Sequence, residues 1–195
     1  ALPLDPGAVQ NRIRQYHSSF AKAQVELSQE TGVDGNLFGL AGWGKHVVRL
    51  VGFSLPMPTE AVENCVAPAH YPQALKDRAR KHASHLIMYY AGHETATIEQ
   101  YVSLAAVGGA LSRLGACVIL NEAGHTSFPA AALAESDDGD VLDLLRTLPL
   151  PILYCGFVKY EVQGTEGVWM RTHGAQLFGL PNFAVHAEGH HQGQE

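Results

Sequence analysis

One long apolar segment, TIEQYVSLAAVGGALSRLG at residues 97–115, constrains the fold more than any other part of the sequence. Its apolar residues fall on almost every side of a helix, which predicts a helix buried around its whole circumference. Thr97 and Gln100 have the spacing of a capping box and predict where the helix begins. Gly115 predicts where it ends. Such a helix needs other elements packed on all its sides.

Two adjacent glycines, Gly108 and Gly109, lie in the middle of this predicted helix. Each costs the helix roughly 1 kcal/mol relative to alanine, so their presence indicates close packing against a neighbour. A dinucleotide-binding loop is rejected, because the pair does not follow a strand and lacks the GxGxxG spacing.

Shorter segments on both sides of this helix alternate between helical and strand patterns. The run SHLIMYYA at 84–91 is nearly continuous in apolar residues, which is typical of a strand covered on both faces. Helices are predicted over 5–19, 59–67, 72–82, 128–135 and 140–148, and strands over 21–30, 36–53 as a hairpin, 84–91, 116–121, 151–162 and 167–172.

This order of elements predicts an α+β protein. We expect a mixed, largely antiparallel sheet with helices packed on it and with β-α-β crossovers, as in a ferredoxin-like or related sandwich. Strands 84–91 and 116–121, joined through the long helix, are expected to be parallel. Residues 1–187 form one predicted domain, and EGHHQGQE at 188–195 is a polar C-terminal tail.

Composition excludes several classes of partner. The net charge is −6 with histidine neutral, only 16% of residues are charged, and no basic run occurs, so no nucleic-acid partner is expected. Apolar stretches are too short for a membrane span, and ALPLDPG does not resemble a signal peptide, so a cytoplasmic protein is expected. Cys65, Cys117 and Cys155 lack metal or disulfide spacing and are interpreted as buried thiols.

Polar residues after two predicted strands form the candidate catalytic group. His93 and Glu94 follow strand 84–91, and Glu122 and His125 follow strand 116–121. Parallel strands would bring both loops to one edge of the sheet, where histidine and carboxylate could hold a metal or perform acid–base chemistry. The alternative interpretation is that these loops are polar because they contact water.

The remaining histidines receive structural interpretations. His46, His85 and His173, with His82, are expected at the opposite edge, where neutral histidine often bonds backbone. The closing strand alternates Trp169, Arg171 and His173 on one face, which makes these three a possible binding surface. Beyond it, His186, His190 and His191 are expected to lie past the last strand.

Catalytic motifs are missing from the sequence. It has no GxSxG elbow, no GxxxxGK[ST] loop and no HExxH helix. Ser127 follows His125 and Thr126, but proximity in sequence does not make a triad. We therefore predict no cofactor and no stoichiometric metal.

Three stretches together resemble a bacterial family known as domain of unknown function 4261. They are ASHLIMYYAG, EQYVSLAAVGGALSRLGACVILNEAGHTSFPAAAL and GVWMRTHGAQLFGLPNF, and the resemblance covers residues 45–187. It implies a bacterial, cytosolic α+β protein and carries over no catalytic residues. The family pattern often has an acidic residue after the last Pro, where Asn182 stands here. Kinship of this kind is compatible with a role beside secretion or toxin–immunity systems.

Two functions remain open from the sequence. We favour a non-enzymatic binding or accessory protein with a protein partner, present as a monomer or homodimer, because no motif supplies a nucleophile, base and orienting group. The alternative is a metal-dependent or His/Glu-based hydrolase with its site at the carboxyl edge of the sheet.

Overall fold

The computed structural model describes residues 4–29, 36–134, 140–147 and 154–188. At its centre lies the predicted buried helix, here α4, which spans Thr97–Ser112 and is buried on nearly all sides from Val102 to Leu111. The predicted capping box is wrong. The backbone N–H groups before the helix instead donate to the carboxylate of Glu94, and Gln100 Nε2 donates to the Glu94 carbonyl at 2.7 Å.

Four further α-helices lie along the described chain. The first follows its sequence signals closely, because Asp5 accepts a hydrogen bond from Ala8 N at 2.7 Å and Pro6 occupies the first turn. The helices are α1 Pro6–Tyr16, α2 Thr59–Val66, α3 Gln73–Arg80 and α5 Val141–Thr147, with short 3-10 helices at Ser18–Phe20, Ala130–Leu133 and Ala175–Phe178.

The described strands form three sheets, and every strand pairing in them is antiparallel. The first sheet has the order β1-β2-β3-β4, the second is the hairpin β5-β6, and the third is β7-β8-β9. The strands are β1 Gln24–Gln29, β2 Leu37–Trp43, β3 His46–Phe53, β4 His85–Tyr90, β5 Val118–Asn121, β6 Thr126–Pro129, β7 Gly156–Tyr160, β8 Val168–His173 and β9 Ala184–Ala187.

The α+β class, with helices packed on largely antiparallel sheets, is confirmed. The expected parallel pairing of 84–91 with 116–121 is not found, because β4 and β5 belong to different sheets. The helix predicted over 128–135 is also wrong. Residues 126–129 form β6, and Pro129 then begins a short 3-10 helix, so β5 finds its partner through a tight turn and not through a crossover. Strand β9 was not predicted.

The main core lies between the first sheet and helices α1 and α4. One face of β2 and β3 supplies Ala41, Val48 and Leu50, which are fully buried there. Helix α1 contributes Val9 and Ile13 from the same face of the helix. A smaller cluster joins α2 and α3. No helix within the described ranges is long and apolar enough to cross a membrane.

The glycine pair of α4 is explained by close packing, as predicted. A Cβ added at Gly109 would overlap the carbonyl of Leu133 and lie 2.8 Å from the ring of Tyr16. A Cβ at Gly108 would lie 2.5 Å from Ile119 Cδ1. The backbone of α4 therefore approaches the 3-10 helix Ala130–Leu133 at a distance that only glycine permits. Of the predicted tail 188–195, only Glu188 lies within the described residues.

Candidate functional site

The carboxylate of Glu94 caps the start of α4 and pairs with a lysine of the β2–β3 turn. Oε1 accepts hydrogen bonds from the N–H groups of Thr95 at 2.8 Å and Ala96 at 2.9 Å, and Oε2 contacts Lys45 Nζ. The Ala96 N–H, followed by Lys45, lowers the pKa of Glu94 to about 2. A carboxylate this weakly basic is a poor general base at neutral pH, so its position defines a structural role.

His93, its neighbour, is held by its backbone. The His93 N–H donates to the carbonyl of Lys45 at 2.8 Å, which extends the pairing of β3 with β4 beyond the end of the strands. The imidazole itself is exposed. The first half of the predicted catalytic group therefore stabilises the junction between the first sheet and α4.

The second half, Glu122 and His125, lies in the turn of the β5–β6 hairpin. Asn121 fixes this turn, because its Oδ1 accepts from Gly124 N at 3.2 Å and its Nδ2 donates to the Tyr154 carbonyl at 3.0 Å. Glu122 is exposed. His125 has a φ of 53°, in the left-handed region that few residues other than glycine adopt.

The structure does not bring the four candidates together as a metal site. Across the described residues, no group of three or more His, Cys, Asp or Glu side chains is arranged to hold a metal ion. The expectation depended on β4 and β5 sharing a sheet edge, and these strands lie in separate sheets. His93 and Glu94 consequently follow a strand of the first sheet, and Glu122 and His125 follow a strand of the second.

His125 instead contacts His173, a histidine that the sequence placed at the opposite edge. Their rings are stacked, with centroids 4.6 Å apart and planes 18° apart. Burial, together with the charges of His125 and Arg171, lowers the pKa of His173. The pair connects the β5–β6 turn to the end of β8 in the third sheet.

Trp169, Arg171 and His173 share one face of β8, as their alternation predicts. Trp169 packs against His186 of β9, with 4.9 Å between ring centroids. Its indole Nε1 is buried and has no hydrogen-bond partner among the described residues. Arg171 is exposed. The three side chains share a face but have different surroundings, so they do not form a continuous exposed patch.

A hydrogen-bonded group around His46 was not predicted. His46 Nδ1 lies 2.9 Å from Ser103 Oγ and 3.1 Å from the Tyr90 hydroxyl, and that hydroxyl accepts from Glu94 N at 3.2 Å. Burial lowers the pKa of His46. Ser103 is only 3% exposed, and its hydroxyl also donates to the Glu99 carbonyl at 2.8 Å. This serine is therefore inaccessible to a substrate, and the Ser–His contact is structural.

Two other histidines have the backbone-bonding role that the sequence predicted. His82 Nε2 accepts from Met57 N at 2.7 Å, while Nδ1 donates to the Ala79 carbonyl at 2.6 Å. His85 Nδ1 donates to the Leu55 carbonyl at 2.8 Å. Both residues therefore fix the chain that connects β3 with α2 and α3 with β4.

Two of the three cysteines are poorly placed to act as nucleophiles. Cys65 and Cys155 are buried, and Cys117 is partly buried. Burial raises the pKa of Cys65 to about 11 and also raises that of Cys155. Since the thiolate is the reactive form, Cys65 and Cys155 are poor nucleophiles at neutral pH.

One open cavity of about 600 Å³ lies at the β7–β8 turn. Residues of the turn form most of its wall, and Glu188 of the segment after β9 also lines it. None of the sequence-predicted catalytic residues lines it. Its lining includes no histidine, cysteine or serine, so it offers no imidazole base.

A larger feature is the side of the first sheet that faces away from the core. We call it the outer face. The strand register places the residues of this face opposite one another in rows across the four strands. Helices α1 and α4 pack on the other side of the sheet. The outer face consists of Gln24, Glu26 and Ser28 on β1, Phe38 and Leu40 on β2, Val47, Arg49, Val51 and Phe53 on β3, and His85, Ile87 and Tyr89 on β4.

The outer face is open, and on β2, β3 and β4 it is largely apolar. Phe38, Leu40 and Tyr89 are 40%, 43% and 53% exposed, and Val51 and Ile87 are partly exposed between them. The apolar run at 84–91 predicts a strand covered on both faces. That interpretation is wrong for the outer side of β4, where Tyr89 is exposed. Contiguous apolar surface of this kind marks an interaction site on many proteins.

Comparison of the chain with protein-family models, with curated proteins and with solved structures finds no match.

Proposed function

We propose that this protein is a non-enzymatic binding protein that recognises another protein chain through the outer face of its first sheet. The observation that carries the proposal is the exposure of Phe38, Leu40 and Tyr89 on one side of a four-stranded sheet. An antiparallel sheet usually presents alternating polar residues to water on its second face. Here β2, β3 and β4 present mainly apolar and aromatic residues there.

The composition of the outer face is that of a protein interface. Tyrosine and arginine are enriched among the residues that contribute most to binding energy, and Arg49 lies between Leu40 and Tyr89 in the same cross-strand row. Fully burying one large apolar side chain contributes about 1.5–3 kcal/mol. Phe38, Leu40 and Tyr89 each retain about half of their surface in contact with water, and burying it would contribute to association against the entropic cost of binding.

The hydrolase alternative has less support. Glu94 is engaged by two backbone N–H groups and Lys45, and Ser103 is inaccessible. His125 stacks on His173 and has no carboxylate partner in the described structure. A hydrolase needs a base and a nucleophile or metal converging on one accessible point, and the predicted residues His93, Glu94, Glu122 and His125 do not converge in this way.

Kinship with domain of unknown function 4261, a bacterial source and a cytoplasmic location belong to the same proposal. They rest on the resemblance of three sequence stretches to that family. In that setting the protein itself would act beside a secretion or toxin–immunity system.

Photo-crosslinking in the cells that naturally express the chain tests this function. Phe38→benzoylphenylalanine places the crosslinker on the outer face, and Leu144→benzoylphenylalanine places it on α5, where Leu144 is comparably exposed. We expect a discrete protein adduct from position 38 and only diffuse products from position 144. Equal, diffuse products from both positions would contradict a binding role for the outer face.

A further inference from the structure

We propose that the protein chain bound by the outer face is a second copy of this same chain, so that two outer faces pack against each other across a two-fold axis. This inference rests on the proposed function and specifies its partner. The supporting observation is the position of two charged residues of the outer face, Glu26 and Arg49, as set by the strand register.

Glu26 and Arg49 lie in one row of the sheet. Glu26 pairs with Leu40, Leu40 pairs with Arg49, and Arg49 pairs with Tyr89. Both charged side chains are exposed, and within the described part of the chain neither makes an ion pair or side-chain hydrogen bond. Leu40 separates them by two strand spacings, about 10 Å, and the two side chains do not pair with each other within one copy.

The outer face is electrically self-complementary, although the whole chain is not. Glu26 and Arg49 are its only Asp, Glu, Lys or Arg residues, so the face has a net charge of zero with His85 neutral. The chain as a whole carries −6, and two copies would repel each other across most surfaces. The outer face avoids this repulsion, and each copy offers both members of an ion pair.

A two-fold axis parallel to the strands, between β2 and β3, brings these charges together. It places β1 over β4 and β2 over β3 of the second copy, so Leu40 faces the partner's Arg49 and Glu26 faces the partner's Tyr89. Glu26 and the opposing Arg49 are then one strand spacing apart laterally, across a gap of about 10 Å between stacked sheets. Arginine and glutamate side chains together span that gap, and symmetry forms the pair twice.

The dimensions of the sheet set the expected affinity. Four strands spaced by about 4.8 Å, with about six residues each in contact, give a flat footprint of roughly 400 Å² per copy. Typical stable interfaces bury about 800 Å² of accessible surface per partner. This interface is therefore small, even when the extra area of its protruding side chains is added to the flat footprint. We therefore expect a dimer with a micromolar dissociation constant.

Sedimentation equilibrium of the full chain, with charge-reversal variants, tests the proposal. We expect the wild type to approach twice the chain mass of 21.0 kDa as its concentration rises through the micromolar range. Glu26→Arg and Arg49→Glu should each weaken dimerisation by about tenfold or more, since each leaves like charges opposed. Combining both substitutions should restore it. Glu166→Arg, an exposed change of the same kind in the β7–β8 turn, should leave it unchanged.

Circular dichroism of each variant establishes that it is folded before its mass is interpreted. A wild type that stays at 21.0 kDa throughout, or a double variant that stays monomeric, overturns the dimer. The proposed function fails separately, through the crosslinking comparison. A monomeric chain that still forms a discrete adduct with a different protein from position 38 refutes only the second copy as partner.

Discussion

His125 stacks on His173 with 4.6 Å between ring centroids, and this contact joins the β5–β6 turn to the last residue of β8. It is reinforced by the backbone, because a Cβ added at Gly156 would overlap the carbonyl of Gly124. Two imidazoles in parallel contact tolerate one positive charge far better than two. The junction between the second and third sheets is therefore sensitive to protonation.

The free energy of unfolding should fall as the pH drops into the range in which histidine becomes protonated. Burial, with His125 and Arg171, lowers the pKa of His173 from 6.5 in the folded chain, so the unfolded chain binds the proton more readily. The contribution is fully present above about 6.5 and is lost as the pH falls toward the lower folded pKa. Urea unfolding at about pH 8 and at about pH 5 measures this loss of stability, because histidine changes its charge between these two pH values.

His125→Gln isolates the contribution of the pair. We expect this substitution to raise the pKa of His173, because one source of positive charge is removed. NMR titration of the His173 ring protons measures that pKa. His70→Gln, a change at an exposed histidine, should leave the His173 pKa unchanged. A His173 pKa that is the same in wild type and His125→Gln would show that the stacked pair is not coupled.

Gly109→Ala should destabilise the protein although alanine favours helices. The new methyl group would meet the Leu133 carbonyl, a backbone atom that cannot move without shifting the 3-10 helix. We expect a net loss of about 1–3 kcal/mol in the free energy of unfolding. Gly108→Ala is the matched control, because its methyl meets the mobile end of Ile119, and should stay within about 1 kcal/mol of wild type. Equal losses would contradict the packing described here.

Much of this arrangement could be predicted from local sequence. The buried α4, the close packing of Gly108 and Gly109, and the hairpin turn at Gly44 follow from apolar periodicity and glycine chemistry. Strand β6 escaped prediction because PAAAL favours helix locally, whereas its pairing with β5 is decided by tertiary contacts.

The candidate site was harder to predict. His125 and His173 are brought together by the packing of two sheets, and no local pattern encodes that contact. The exposure of the outer face was not predicted, for a different reason. An apolar strand looks the same in sequence whether its second face is covered by its own chain or by another, so HLIMYY alone cannot distinguish them.

Glu94→Gln should weaken the start of α4 at neutral pH. The substitution removes the charge that Lys45 and the N–H groups of Thr95 and Ala96 stabilise. Because the folded pKa is lowered from 4.5 to about 2, the carboxylate stabilises the fold above about 4.5 and loses this effect as the pH falls toward 2. Thermal unfolding should therefore show a lower Tm for the variant at neutral pH and a smaller difference in acid. A constant difference at all pH values would contradict the role of the charge.

The accessibility of Tyr89 in the assembled protein tests the central claim most directly. Hydroxyl-radical footprinting compares Tyr89 on the outer face with Phe157 of β7, which is exposed on the third sheet, within the same molecule. Leu40→Asp, which places a charge in the middle of the outer face, supplies the unassembled reference. We predict that Tyr89 is protected in the wild type at high concentration and labelled rapidly in Leu40→Asp, with Phe157 labelled equally in both. Equal labelling of Tyr89 in the two proteins at high concentration would contradict self-association through the outer face.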